Sequence, residues 1–254
     1  MLTAARRSLI QQELESATYV TTSDLSSRLD VDVSTVRRDL IALEREGILV
    51  RRHGGAMLVD SRTDADIPYS YKATLRTAEK TAIAARAAAM VAPGEIVIVD
   101  SGSTTFEMVL ALRDVSDLTV VTNDLQIART VADIEGWRLL VTGGALMEHV
   151  YTLSGEAAVR FFEDVRADWT FLGADAVDPR LGVTNSNPQE AQVKRAMIAA
   201  SNETVILADS SKLNRRSVSP VAQIADVKHL ITDGGLDVDS RAAYGPGLII
   251  VDAR

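Results

Sequence analysis

The stretch Ile96 to Arg113, IVIVDSGSTTFEMVLALR, limits what this chain can fold into more than any other. Ile96 to Val99 is an unbroken apolar run, short enough for a strand buried on both faces. Asp100, Ser101, Gly102, Ser103, Thr104 and Thr105 then break the run with small, polar, turn-forming residues. Phe106, Val109 and Leu110 follow at helical spacing and predict a helix from near Thr104. A strand, a hydroxyl-rich loop and a helix N-terminus in that order form an anion cradle. Unpaired backbone N–H groups and the positive helix end converge there, and the Ser and Thr hydroxyls add donors. An ordinary strand-to-helix turn with a Ser or Thr N-cap has the same composition. The rest of the chain has to decide between the two.

At 254 residues the chain holds one large domain or two unequal ones. It contains no Cys, which excludes a disulfide framework and a thiolate metal site. His53, His149 and His229 are far apart and show no ligand spacing, so neither a metal nor another cofactor is expected. Met1 to Ile10 carries Arg6 and Arg7 but no apolar core follows, unlike a signal peptide. No apolar run approaches the ~20 residues that cross a bilayer. The expectation is a cytoplasmic protein with no membrane partner. A net charge of -8 argues against a protein that coats nucleic acid through bulk charge. It leaves room for a small DNA-reading module on an acidic body.

Residues 1–59 have the pattern of such a module. Ala4 to Glu15 predicts a helix with Leu9, Ile10 and Leu14 on one side. Ser23 to Leu29 predicts a second, with Leu25 and Leu29 an i,i+4 apolar pair and Thr21, Thr22 and Ser23 as N-cap candidates. After a turn at Asp30-Val31-Asp32, a third helix runs from Ser34 to Glu46 and stops at Gly47. Val36, Leu40 and Leu43 form its core side. Ser34, Thr35 and Arg38 lie on the opposite arc, with Arg37 on the flank. Two short helices, a turn and a third helix with an arginine-bearing start predict a helix-turn-helix that presents this helix to the major groove. Ile48 to Val59 then reads as two apolar runs around a Gly-Gly turn, a β-hairpin with Arg51, Arg52 and His53 at its tip. Such a basic wing suits phosphate or minor-groove contact. Residues 1 to 60 carry eight Arg and nine acids, a net of -1, so the case rests on where the arginines cluster and not on their number.

The run VSTVRRDLIALEREGILVRRHGGA, Val33 to Ala56, closely resembles the winged helix-turn-helix signature of the DeoR family of bacterial transcription regulators. The Arg-Arg-Asp-Leu core, the Leu-Glu-x-x-Gly helix end and the Arg-x-His-Gly-Gly wing are all in place. The resemblance implies that Ser34, Thr35, Arg37 and Arg38 face a double-stranded operator. Arg51, Arg52, His53, Gly54 and Gly55 would then meet the flanking backbone.

Residues 60–74 are polar around Pro68 and predict a linker. From Lys72 to Val91 the chain is Ala-rich, with Ile83, Ala87, Met90 and Val91 on one helical face, until Pro93-Gly94 stops it. Within 75–254, strands are predicted at Ile96–Val99, Leu118–Thr122, Arg138–Val141, Trp169–Gly173, Thr204–Ala208, Leu230–Thr232 and Leu248–Val251. Helices are predicted at Asp124–Ile134, Ala157–Val165 and Pro188–Ala200. Repeated βα units predict an open, mostly parallel α/β domain. Ligands of such sheets sit outside the carboxyl ends of the strands.

Those ends carry Asp100 to Thr105, Thr122-Asn123-Asp124, Thr142-Gly143-Gly144, Ala174-Asp175 and Asp209-Ser210-Ser211-Lys212. Each alone is a normal turn. Together they describe a polar pocket for a phosphate and hydroxyls. Glu190 and Lys194 stand i,i+4 on one helix. Spacing alone favours a surface pair worth about 0.2–0.5 kcal/mol over side chains sharing the pocket.

Ile96 to Asp233 is similar to the effector domain of the same family, through DSGSTT, VVTNDLQIA, TGG, EAQVKR and ADSSK. That domain resembles ribose 5-phosphate isomerase in fold and binds a phosphorylated sugar or related metabolite. The resemblance implies that Asp100, Ser101, Gly102, Ser103, Thr104 and Thr105 hold the phosphate. Thr122, Asn123, Gly143, Asp175, Glu190, Lys194, Asp209 and Lys212 would surround the sugar, with loops 147–153 and 178–188 choosing it. The expected function is a regulator and not an enzyme. It would repress a sugar-metabolism operon as a dimer or tetramer, with a phosphorylated sugar setting its operator affinity. The alternative is a sugar-phosphate-isomerase-like enzyme, with Glu190 as base and Lys194 or Lys212 as phosphate clamp. A DNA-reading head speaks against it.

Overall fold

The computed structural model describes residues 3–16, 20–46, 48–52, 54–58, 69–147 and 150–253. The chain divides into two units, Met1–Ile67 and Pro68–Arg254.

The first unit is built from α1 (Thr3–Ser16), β1 (Val20–Thr21), α2 (Thr22–Leu29), α3 (Val33–Arg45), β2 (Leu49–Arg52) and β3 (Gly55–Leu58). Thr21 caps α2 by accepting the Asp24 N–H at 3.0 Å. Asp30 ends that helix in the left-handed region, φ 51°, a conformation that Asp tolerates. Ile10, Leu14, Leu25, Val36, Leu40, Leu43 and Leu49 pack into one core. Leu9, expected on that side, is 39% exposed. Ile10 and Leu14 already fill the inner stripe of α1, and Leu9 falls on its flank. The strands order β1-β3-β2, all antiparallel. Arg52 pairs with Gly55, so the turn centres one residue earlier than the Gly-Gly step, with Gly54 at φ +78°. His53 and Gly47 lie outside the described residues.

Asp39, inside the Arg-Arg-Asp-Leu core, is buried beneath α1. It takes the Arg6 Nε hydrogen bond and stands 3.4 Å from Arg7 Nε. A carboxylate inside a small core requires such partners. Asp39→Ala should therefore melt the head roughly 5–10 °C lower and leave the second unit's transition in place. Calorimetry that resolves the two transitions checks this.

The second unit opens with α4 (Tyr69–Thr74) and α5 (Thr77–Ala88). Of the expected linker, 60–68 lies outside the described residues, while 69–74 is helical. Tyr69 is buried, its ring edge-on to Tyr151 at 5.4 Å, so this segment has an apolar anchor that a linker lacks. The helix expected from Lys72 to Val91 is broken at Leu75-Arg76, where Arg76 takes φ 49°. There follow β4 (Ile96–Val99), α6 (Ser103–Ala111), β5 (Thr119–Thr122), α7 (Leu125–Ala132), β6 (Arg138–Val141), β7 (Ala145–Leu146), β8 (Leu153–Ser154) and α8 (Glu156–Phe161). Then come β9 (Ala167–Gly173), β10 (Ala176–Asp178), β11 (Gly182–Asn185), α9 (Pro188–Ala199), β12 (Ser201–Leu207), β13 (Ser219–Ala222), β14 (His229–Asp233), α10 (Val238–Arg241) and β15 (Leu248–Val251).

Seven strands form one parallel sheet in the order β15-β14-β12-β9-β4-β5-β6. Alternate residues feed a core on each face. Val97 and Val99 pack with Ile83, Met108, Val109 and Ile127, while Ile98 packs with Phe162, Val193 and Met197. That double burial explains the unbroken apolar runs. The expected α/β architecture is present, with one addition. A small antiparallel sheet, β10-β11-β13, follows β9. Its first turn forms where Asp178 Oδ1 accepts the N–H groups of Arg180 and Leu181. Residues 178–188, expected as a loop, thus contain a strand. Among the described residues, no helix is long and apolar enough to cross a membrane.

Candidate functional site

On α3, Val36, Leu40 and Leu43 turn inward, while Ser34, Arg37 and Arg38 are exposed and Thr35 is half-buried. This leaves the helix start, with both arginines, facing solvent, as a recognition helix requires. On the wing, Gly54 is exposed. Arg51 is exposed but engaged, its Nε 2.7 Å from Glu44 Oε2 and its N–H donating to Glu44 Oε1 at 3.1 Å. The Arg52 side chain and His53 lie outside the described residues.

In a parallel sheet the carboxyl ends of all strands share one edge. The Asp100 carboxylate, buried at the end of β4, is held by the Gly173 N–H at 3.0 Å and by the Lys194 ammonium. Lys194 reaches in from α9 and also donates to the Gly173 carbonyl at 2.9 Å. The surface-pair expectation for Glu190 and Lys194 is corrected here, since Lys194 is 5% exposed. Asn187 and Pro188 start α9 so that its third and seventh residues point at the sheet edge. Burial pushes Asp100 upward against its partners, with a net rise. Burial pushes Lys194 down, but Asp100, Glu190 and Asp175 together hold it above its ordinary value. Glu190 is raised by burial, although Asn185 Nδ2 donates to it at 2.6 Å.

α6 begins at Gly102, φ +150°, with no side-chain cap. The N–H groups of Ser103, Thr104 and Thr105 have no acceptor within the helix. Ser103 and Thr104 are half-exposed. Thr105 is buried and donates to the Gly102 carbonyl at 2.9 Å, so it shapes the loop. Ser101 is tied to Asp124 Oδ2 at 2.9 Å and to Thr152. Thr122 is fully buried and accepts the Asp124 N–H at 3.0 Å. Asn123 donates to the Leu153 carbonyl at 3.2 Å, while its buried Oδ1 has no partner among the described residues. Gly143 is exposed. Asp175 accepts the Ser186 N–H at 2.9 Å and its hydroxyl at 2.6 Å, with Lys72 Nζ 3.9 Å away. Burial alone would raise Asp175, but Lys72 and Ser186 carry it below the usual range. Asp209 holds the Ser211 N–H at 3.0 Å and faces Arg76 Nε at 3.4 Å.

Three cations were missed by sequence reasoning: Lys72, Arg76 and Lys80. Their spacing of four gave no usable signal, because the helix breaks at Leu75-Arg76 between the first and the last of them. Lys80 is buried, donates to the Lys72 carbonyl and is lowered to about 8 by burial, with Lys72 adding and Asp209 opposing. Lys212, after β12, is lowered to about 8 by burial and by Arg215. The sheet edge thus carries a bare helix N-terminus, buried carboxylates and two lysines poised near neutrality. An anion with hydroxyls suits that set.

A family model described as the DeoR C terminal sensor domain matches residues 75–234, and one for a DeoR-like helix-turn-helix domain matches residues 6–62. A putative aga operon transcriptional repressor of Escherichia coli O157:H7 is 36% identical over 239 residues, which is 94% of this chain and 89% of that protein. The glycerol-3-phosphate regulon repressor of Haemophilus influenzae is 32% identical over 232 residues, 91% of this chain and 90% of that one. Among solved structures, ribose 5 phosphate isomerase A from Neisseria gonorrhoeae aligns with 54% of this chain and 53% of its own at 19% identity and a TM-score of 0.40. That last likeness is too slight to bear on function.

A winged head with its recognition helix exposed, joined to a sensor body, makes this a DNA-binding transcription regulator. The chain belongs to the DeoR family.

Proposed function

We propose that this regulator represses a sugar-metabolism operon and that a phosphorylated sugar, bound at the carboxyl edge of the parallel sheet, sets its affinity for the operator. The observation that carries the reading is the uncapped start of α6 beside the Asp100–Lys194 pair. It offers an anion unpaired N–H groups at the end of a strand whose neighbours supply carboxylates for hydroxyls. The phosphate sits on the N–H groups of Ser103, Thr104 and Thr105, with the ammonium groups of Lys80 and Lys212 as its countercharges. Asp175, Glu190, Asn123 and Asp209 take the sugar hydroxyls. The relatives named for the aga operon and the glycerol-3-phosphate regulon support the class of ligand. In the head, Ser34, Thr35, Arg37 and Arg38 read bases while Arg51 to Gly54 meet the backbone.

The body's first helix gives the ligand a handle on the chain leading from the head. Lys72 of α4 faces Asp175, and Tyr69 lies under Tyr151. A sugar that engages Asp175 competes with Lys72 and shifts α4. Coupling of this kind needs only about 1–3 kcal/mol.

Lys80 and Lys212 add a pH signature. Burial lowers both to about 8. A bound phosphate favours the ammonium form and raises both. Binding near pH 8 should therefore take up protons, and affinity should fall as pH rises beyond about 8. Titration calorimetry with glycerol 3-phosphate and ribose 5-phosphate, in two buffers of different ionisation enthalpy, checks this. Equal heats in both buffers would remove the two lysines from the phosphate site.

Isomerisation is the competing use of the pocket, since Glu190 is a raised carboxyl. Incubation with ribose 5-phosphate should show no turnover at ordinary enzyme rates of ~1–10³ s⁻¹. Turnover at such rates would replace the regulator reading with an enzymatic one.

A further inference from the structure

β6 closes one side of the seven-stranded sheet and pairs only with β5 among the described residues. Its outer N–H and C=O groups form an open template. Native sheets blunt such edges with proline, bulges or charge. β13, at the edge of the small sheet, carries Pro220. β15, at the far edge of the large sheet, has every residue half-buried, with α5 packed against it. β6 reads Arg138-Leu139-Leu140-Val141 with no blunting device after its first residue, and Leu140 is 40% exposed. Leu125 (39%) is also exposed on α7, which packs against β6, and Leu146 (56%) on β7 and Tyr151 (47%) before β8 are exposed in the stretch of chain that follows β6. Leu125 and Tyr151 are joined by a backbone hydrogen bond of 2.9 Å.

We propose that β6 pairs antiparallel with β6 of a second copy of this chain, fusing two parallel sheets into one across a two-fold axis. The axis stands perpendicular to the sheet, so each face keeps its own layer. Side chains that meet must then share a face. Leu140 meets the partner's Leu140, and Leu139 meets the partner's Val141.

Charge singles out a second copy as the occupant. The chain as a whole carries -8. Among the described residues, α7, β6 and the turn between them carry the exposed Arg129 and Arg138 against the exposed Asp133 and Glu135, which balance. Arg129 on α7 and Asp133 at its C-cap stand four apart, so the two-fold turns the cation of one copy toward the anion of the other. An isologous interface requires this self-complementarity. A four-residue strand alone falls short of the ~800 Å² per partner of a stable interface. The outer face of α7, which packs against β6, extends it. A two-fold dimer would present paired heads to paired half-sites, yet the interface can be tested without ligand or operator.

The chain contains no Cys, so Leu140→Cys carries a single thiol. Residues directly opposed on antiparallel strands lie ~4.5–5.5 Å apart at Cα, within disulfide reach. Mild oxidation at about 10 µM should convert most of Leu140→Cys to a covalent dimer within minutes. Val218→Cys, 76% exposed on another surface, should cross-link at least tenfold more slowly. Leu140→Lys sets like charges against each other and should sediment one two-fold step smaller than the parent, with at least tenfold weaker association and an unchanged circular dichroism spectrum. Equal cross-linking at both cysteines, a Leu140→Lys variant that sediments like the parent, or a parent that is monomeric at ~100 µM would each overturn the proposal. The last would hand the edge to a different partner.

Discussion

Lys194→Met should destabilise the sensor body by about 3–5 kcal/mol and abolish its response to a phosphorylated sugar, because it strands a buried carboxylate. Asp100 is 2% exposed and Lys194 5%. The ammonium and the Gly173 N–H share Asp100 Oδ2, and neither side chain has bulk water to fall back on. Asp100→Leu with Lys194→Met removes both charges and should regain most of the stability, since apolar replacement of a whole buried pair is close to neutral. It should not regain the response, because the pair orients the loop that starts α6. Urea unfolding followed by tryptophan fluorescence suits the test, because Trp137 and Trp169 both lie in the body. A Lys194→Met variant within about 0.5 kcal/mol of the parent, the range of ordinary surface changes, would mean that the pair is solvated and the pocket misplaced.

Arg38→Ala should leave the head folded and erase operator preference. One bidentate arginine–guanine contact is worth about 1–3 kcal/mol of discrimination, roughly 5–150-fold in relative affinity. Both Arg37 and Arg38 are exposed, and the core face of α3 is fully supplied by Val36, Leu40 and Leu43. The neighbouring Asp39 has the opposite part, buried against Arg6 and Arg7. Two adjacent residues should therefore fail differently: Asp39→Ala through folding, Arg38→Ala through recognition with an unchanged melting curve. Competition between a selected duplex and random duplex at fixed salt reads the difference. Arg38→Ala that still prefers the selected duplex to the parent's degree would take α3 out of the groove.

Much of this architecture is legible in the sequence where local pattern and burial agree. Ile96–Val99, Arg138–Val141 and Leu248–Val251 are found where the apolar runs place them. α9 starts at Pro188 as its N1 preference requires. The head's core follows from the helical spacing of Val36, Leu40 and Leu43. What escapes is set by tertiary pairing. β10, β11 and β13 are short, one contains a proline, and only their mutual register makes them strands. The break before α5 rests on a non-glycine residue in the left-handed region, which no turn signal announces. In the candidate site, the strand ends are visible because they interrupt apolar runs. Lys194 and Asp100 lie 94 positions apart, and the local Glu190–Lys194 spacing pointed to the surface instead. Lys80 stayed hidden for a similar reason, since an alanine-rich helix gives no sign that one lysine on it is buried.

The most direct test follows duplexes that the protein selects from a random pool. Their affinity is measured alone and with matched pairs of phosphorylated and unphosphorylated sugars, for the parent and for Lys212→Ala. The expected result is that at least one phosphorylated sugar changes the parent's affinity by about 5–150-fold. Its unphosphorylated counterpart should do nothing, and Lys212→Ala should bind the duplex normally but ignore the ligand. An unphosphorylated sugar that acts as strongly, or a Lys212→Ala variant that responds as the parent does, would contradict a phosphate site at the sheet edge.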